Sequence, residues 1–128
     1  MDAELTAALE PVLRDLAADA VPVRIVDEVW ADQPSAMLYD PDGFGMGIRV
    51  PPGLPHAVQI AEVADQVQEW AVEALWFAGR PTNWPRCPRH PQTHPLMAAE
   101  QGGQAYWKCP ARDELISEIG RAGATGAG

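Results

Sequence analysis

Basic residues are scarce in this chain: nine Lys and Arg stand against eighteen Asp and Glu, giving a net charge of −9. Such a balance opposes the phosphate backbone of nucleic acid. Cysteine is scarcer still, with two in 128 residues, and a lone bridge between them would be uncommon in a cytosolic protein. No apolar run approaches the length of a membrane span, and the opening M-D-A-E-L-T lacks the basic start of a secretory signal. Together these absences lead us to expect a soluble cytoplasmic protein that does not enter a membrane. Nucleophile patterns are missing too: neither Ser35 nor Ser117 lies in a G-x-S-x-G setting. Gly45 and Gly47 precede no Lys-Ser/Thr and no immediate helix start, so they form no phosphate loop. His56, beside prolines, reads as a surface or capping residue.

What is present is enough apolar material, 47% of residues, to bury a core in one ordinary domain or a domain with a small appendage. Residues 2–20 read as a helix, with Leu5, Leu9, Val12 and Leu16 on one stripe and Pro11 interrupting it. Three strands are expected next, within residues 21–30, at 35–39 and at 44–50. The last two flank Asp40-Pro41-Asp42-Gly43, a type I turn signal. The third strand alternates Phe44, Met46, Ile48 and Val50 with the bare Gly45 and Gly47. That bare face reads as a strong twist or bulge, or as a place where another group approaches closely. Residues 56–78 carry the strongest helical pattern, with Ile60, Val63, Val67, Trp70, Ala74 and Phe77 at a 3-4-3-4-3 spacing. Gly79 stops it.

The most informative stretch runs from Trp84 to Pro110 and holds both cysteines and two of the three histidines. Cys87-x2-His90 and, after eighteen intervening residues, Cys109 have the separation of the two knuckles of a zinc ribbon. A second ligand pair would put its partner at position 112, but Arg112 stays protonated and cannot ligate a cation. The fourth ligand is therefore sought at His94, or at Asp113. Leu96–Glu100 and Gln104–Lys108 flank Gly102-Gly103 and read as a hairpin returning Cys109 to Cys87 and His90. Trp84 and Trp107 are placed to cover the ion with apolar surface.

This segment resembles the C-terminal third of small uncharacterised proteins, mostly actinobacterial, with the pattern C-P-x-H, H-P-L, a Gly-containing hairpin and A-x-W-x-C-P. The matching residues are Cys87-Pro88, His90, His94-Pro95-Leu96, Ala105, Trp107 and Cys109-Pro110, followed by Ile116 and Ile119-Gly120. The two histidines here are spaced more widely than in that pattern. The resemblance implies a Cys/His zinc-binding tail and no particular activity.

The expectation is thus an α+β chain: a helix, a three-stranded antiparallel sheet, a long helix, and a small zinc-ribbon-like hairpin module. Residues 1–79 form the body, 80–120 the module, and 121–128 a mobile tail without bulk to bury. Metal ligands are Cys87, His90, His94 and Cys109, and the cofactor is a zinc ion. Charge divides along the same line, −11 over residues 1–79 and +4 over 80–112. A basic module on an acidic body suits docking on protein, including a second copy, and the expected function is a non-enzymatic accessory or adaptor protein. Two alternatives stand beside it. Arg86, Arg89, Lys108 and Arg112 on phosphates, with Tyr106 or Trp107 stacking on bases, would make a nucleic-acid-binding ribbon. Three ligands with an open position would make a zinc hydrolase. The deaminase form of that chemistry wants a Glu two residues after its His, where this chain has Gln92.

Overall fold

Asp2 accepts a hydrogen bond from the Leu5 N–H at 3.0 Å and so caps the first helix, α1, Ala3–Ala18. Apolar residues spaced three and four apart bury Leu5, Leu9, Val12 and Leu16 completely. Pro11 is accommodated inside the helix. The computed structural model describes residues 1–30 and 32–121. Apart from Arg121, the tail expected to be mobile lies outside the described residues.

Three short strands follow, β1 (Arg24–Val26), β2 (Ser35–Tyr39) and β3 (Gly45–Arg49), in an antiparallel sheet ordered β1-β2-β3. Leu38 stands opposite Ile25 on one side and Met46 on the other, so the register puts apolar residues on the covered face. The carboxyl group of Asp40 accepts from the N–H groups of Asp42 and Phe44, which closes the β2–β3 turn. The bare glycine face is filled by one ring of β2 and one from the segment between β1 and β2. A Cβ at Gly45 would run into the Tyr39 ring, and one at Gly47 into the Trp30 ring. Arg24 in turn lies over the Tyr39 ring, 4.8 Å from its centroid.

The second helix, α2 (His56–Phe77), is the axle of the fold and packs against α1, β3, β4 and β5. Its apolar stripe buries Val63, Val67 and Trp70 fully, whereas Phe77, expected on the same stripe, is 56% exposed. Two glutamines tie α2 to the strands and loops beside it. Gln66 donates to the Arg49 carbonyl at 2.7 Å and accepts from the Arg49 N–H at 2.9 Å. Gln68 donates to the carbonyls of Trp84 and Leu96.

The C-terminal part is larger than the expected hairpin. It is a second antiparallel sheet of three strands, β4 (Met97–Gln101), β5 (Gln104–Cys109) and β6 (Glu114–Glu118), ordered β4-β5-β6. The β4–β5 turn is as expected. Gln101 pairs with Gln104 around a two-residue loop in which Gly102 and Gly103 take φ of 61° and 84°. The third strand escaped the sequence reading because Glu114–Glu118 has little period-two contrast, and its residues are only half-buried. A bulge between Trp107 and Lys108 lets β6 pair along it. Buried apolar residues form one continuous cluster from Leu5 in α1 to Ile119 after β6. Among the described residues, no helix is long and apolar enough to cross a membrane.

Candidate metal centre

Between Pro85 and Leu96 the chain makes a loop pinned at its base. The Leu96 N–H donates to the Pro85 carbonyl at 2.7 Å, and Arg86 and Pro95 form a bridge just inside it. Gln68 of α2 holds the carbonyls on either side of the same base. Within the loop the His90 N–H donates to the Cys87 carbonyl and the Thr93 N–H to the His90 carbonyl. These two consecutive turns bring Cys87, His90 and His94 to one side. The fourth residue, Cys109, arrives as the last residue of β5.

The four side chains converge. The ligand atoms of Cys87, His90, His94 and Cys109 all lie within 4.8 Å of one another. The His90 Nδ1 is 3.7 Å from the Cys87 sulfur and 3.5 Å from the Cys109 sulfur. Bonds of about 2.0–2.3 Å to a tetrahedral ion imply edges of roughly 3.3–3.8 Å, so these separations fit such a site. Both cysteines are fully buried and neither is in a disulfide. At 3.0 Å, His94 Nδ1 lies within hydrogen-bonding distance of the Pro95 carbonyl. Donation there fixes the tautomer and leaves Nε2 with a bare lone pair. Nε2 is buried and has no hydrogen-bond partner. An orphan nitrogen beside two buried thiols is the signature of a cation site.

Asp113, the alternative fourth ligand, is elsewhere. It pairs with Lys108, whose hydrogen bond and charge lower its pKa from the usual carboxyl value. The geometry therefore brings His94 into the cluster and leaves Asp113 outside it. Three of the four donors come from one loop, which departs from the two-knuckle arrangement of a ribbon. Arg89 donates through Nε and Nη2 to one oxygen of Glu114, the residue paired with Cys109 across β5 and β6. The Glu114 hydrogen bond, then its charge, raise the Arg89 pKa, and the two nearby cysteines add to the effect.

The two tryptophans expected near the ligands pack on each other and are anchored by groups that the sequence did not name. Trp84 and Trp107 meet edge to face with centroids 5.6 Å apart. The indole N–H of Trp107 donates to Asp15 and that of Trp84 to Asp19, both at the end of α1. Asp15 is 1% exposed and also accepts from the Gly120 N–H at 2.8 Å. The available signal was an acidic residue on the apolar stripe of α1, three positions after Val12. Gln68 gave no such signal, because in the sequence it stands among the polar residues of the other α2 faces.

No known family model, curated protein or solved structure matches this chain.

Proposed function

We propose that the chain is a zinc-binding accessory or adaptor protein that acts through protein–protein contact and carries a structural Cys2His2 site. The observation that carries the metal assignment is the buried, unpartnered Nε2 of His94 converging with His90 and two buried cysteines. Two thiolates and two neutral imidazoles suit a borderline-soft ion of tetrahedral preference. Two thiolates also balance the charge of Zn2+, so the site is neutral as a whole and tolerates burial. Four protein donors leave no position for a hydrolytic water, which favours a structural ion over the hydrolase.

Three observations weigh against the nucleic-acid alternative. Trp107 is fully buried and its N–H is engaged, so it has no face to offer a base. Arg89 is paired with Glu114, and Lys108 with Asp113. Metal analysis of the purified chain tests the reading, with one zinc per chain expected, lost in Cys109→Ser. Cobalt substitution adds a check on geometry, because tetrahedral thiolate ligation gives intense visible and charge-transfer absorption. Metal-free protein purified under reducing conditions, or a Cys87–Cys109 bridge in its place, would overturn it.

A further inference from the structure

The exposed side of α2 runs against the helix's own electrostatics. Glu62, Asp65, Glu69 and Glu73 are all exposed and recur at spacings of three, four and four, so they form one stripe about 16 Å long. The helix contains no Lys or Arg, and no ion pair among the described residues reaches any of the four. Asp65–Glu69 and Glu69–Glu73 are like-charge pairs at i,i+4, which cost helix stability. Glu73 also sits near the C-terminus, where the macrodipole disfavours an anion.

The stripe leads directly into aromatic surface. Trp76, three residues after Glu73, is 67% exposed, and Phe77 beside it is 56% exposed. The Trp76 and Phe77 rings meet edge to face at 5.7 Å, and Phe77 leans on Phe44 at 5.2 Å. Three adjoining rings make a contiguous patch rather than scattered exposure, and large aromatics are the usual anchors of an interface. From this juxtaposition we infer that the α2 face from Glu62 to Phe77 is a docking surface for a basic, amphipathic segment of another protein. The segment's apolar side chains cover Trp76 and Phe77, and its Arg or Lys residues meet the carboxylates. Cations there relieve both the i,i+4 repulsion and the unfavourable helix end. A second copy is the poorer occupant, because each chain carries −9 and two of the basic residues of its 80–112 segment, Arg89 and Lys108, are already paired with Glu114 and Asp113.

This inference rests on the adaptor reading and specifies its surface. The test uses the full metal-loaded chain and a fluorescein-labelled synthetic helical peptide with a Leu stripe flanked by Arg. Two companion peptides replace the Arg with Glu, or the Leu with Ser. Anisotropy should show binding of the Leu/Arg peptide that weakens with salt and is about tenfold or more weaker for either companion. A similar loss is expected in Trp76→Ser/Phe77→Ser and in Glu69→Gln/Glu73→Gln, whose circular dichroism should match the parent because all four side chains are exposed. Equal binding by these variants, or none by the parent, overturns the surface, while the proposed zinc site stands or falls on the metal analysis. Sedimentation showing a dimer lost in Trp76→Ser also overturns it, since the occupant is then a second copy.

Discussion

Trp107 donates its indole N–H to the buried carboxyl of Asp15 at 2.7 Å, across 92 positions of sequence. The bond joins the first helix to the strand that delivers Cys109, two residues further on. Asp15 also holds the Gly120 N–H, so one acidic side chain collects donors from both sides of β6.

Replacing Asp15 by Ala should therefore destabilise the protein well beyond a surface change. One buried and one part-buried donor lose their acceptor, and a buried group left unsatisfied costs on the order of 1–3 kcal/mol. Thermal unfolding should fall by several degrees in the metal-loaded protein, while metal content stays at one ion per chain. Loss of the ion in Asp15→Ala would mean that this anchor positions the ligands as well.

His94 and Asp113 separate cleanly by substitution. His94→Gln should weaken zinc binding by more than the roughly 10–100-fold typical of outer-shell changes, because it removes a direct donor. Asp113→Asn should leave affinity unchanged, since it breaks only an exposed pair with Lys108. Competition with a chromophoric chelator reads both, and the opposite ranking would place Asp113 in the coordination shell.

Removing the metal should be felt across the whole chain. Trp107, Leu96 and Ile119 belong to the same buried cluster as Leu9 and Trp70, and a structural zinc contributes on the order of 10 kcal/mol of folding free energy. Chelation should lower the stability of helix and strand signals together, in one cooperative transition. Two resolved transitions in calorimetry would instead show that residues 1–79 hold their fold without the rest.

Oligonucleotide binding should be absent or weak at physiological salt. The Debye length is then about 8 Å, so only acidic residues within about that distance of a bound phosphate escape full screening and repel it. Anisotropy with labelled single- and double-stranded DNA and RNA measures it. Tight, steeply salt-dependent binding abolished by Arg86→Ala with Arg89→Ala would favour the nucleic-acid alternative.

Much of this was legible because it was local. The α1 stripe, the α2 stripe short of Phe77, the Asp40 turn and the Gly102-Gly103 turn each depend on a few neighbouring residues, and each appears where the pattern put it. The convergence of Cys87, His90, His94 and Cys109 was foreshadowed by residue type and spacing. What escaped was set by tertiary partners. Nothing near β6 marks it as a strand, since its pairing depends on a bulge in β5. Gly45 and Gly47 read first as a twist or bulge, with close approach as the second reading, and the rings of Tyr39 and Trp30 that come close are identified only by the sheet register and the fold of residues 24–30. Asp15 stands as an acidic residue on an apolar stripe and Gln68 reads with the polar residues of α2, and the partners of both lie too far along the chain for any local pattern to name.

The clasp that Gln66 makes on Arg49 has its own consequence for how this protein can be approached. Strand β3 lies at the border of its sheet, and bare borders invite a foreign strand to add itself through backbone pairing. At Arg49 both outward backbone groups are already taken by one side-chain amide, which imitates the strand that is not there. An incoming peptide would have to displace α2's glutamine to continue the ladder. Recognition on this flank is thereby steered from main chain to side chains, so that discrimination rests on which residues a visitor carries and not on its willingness to extend a sheet.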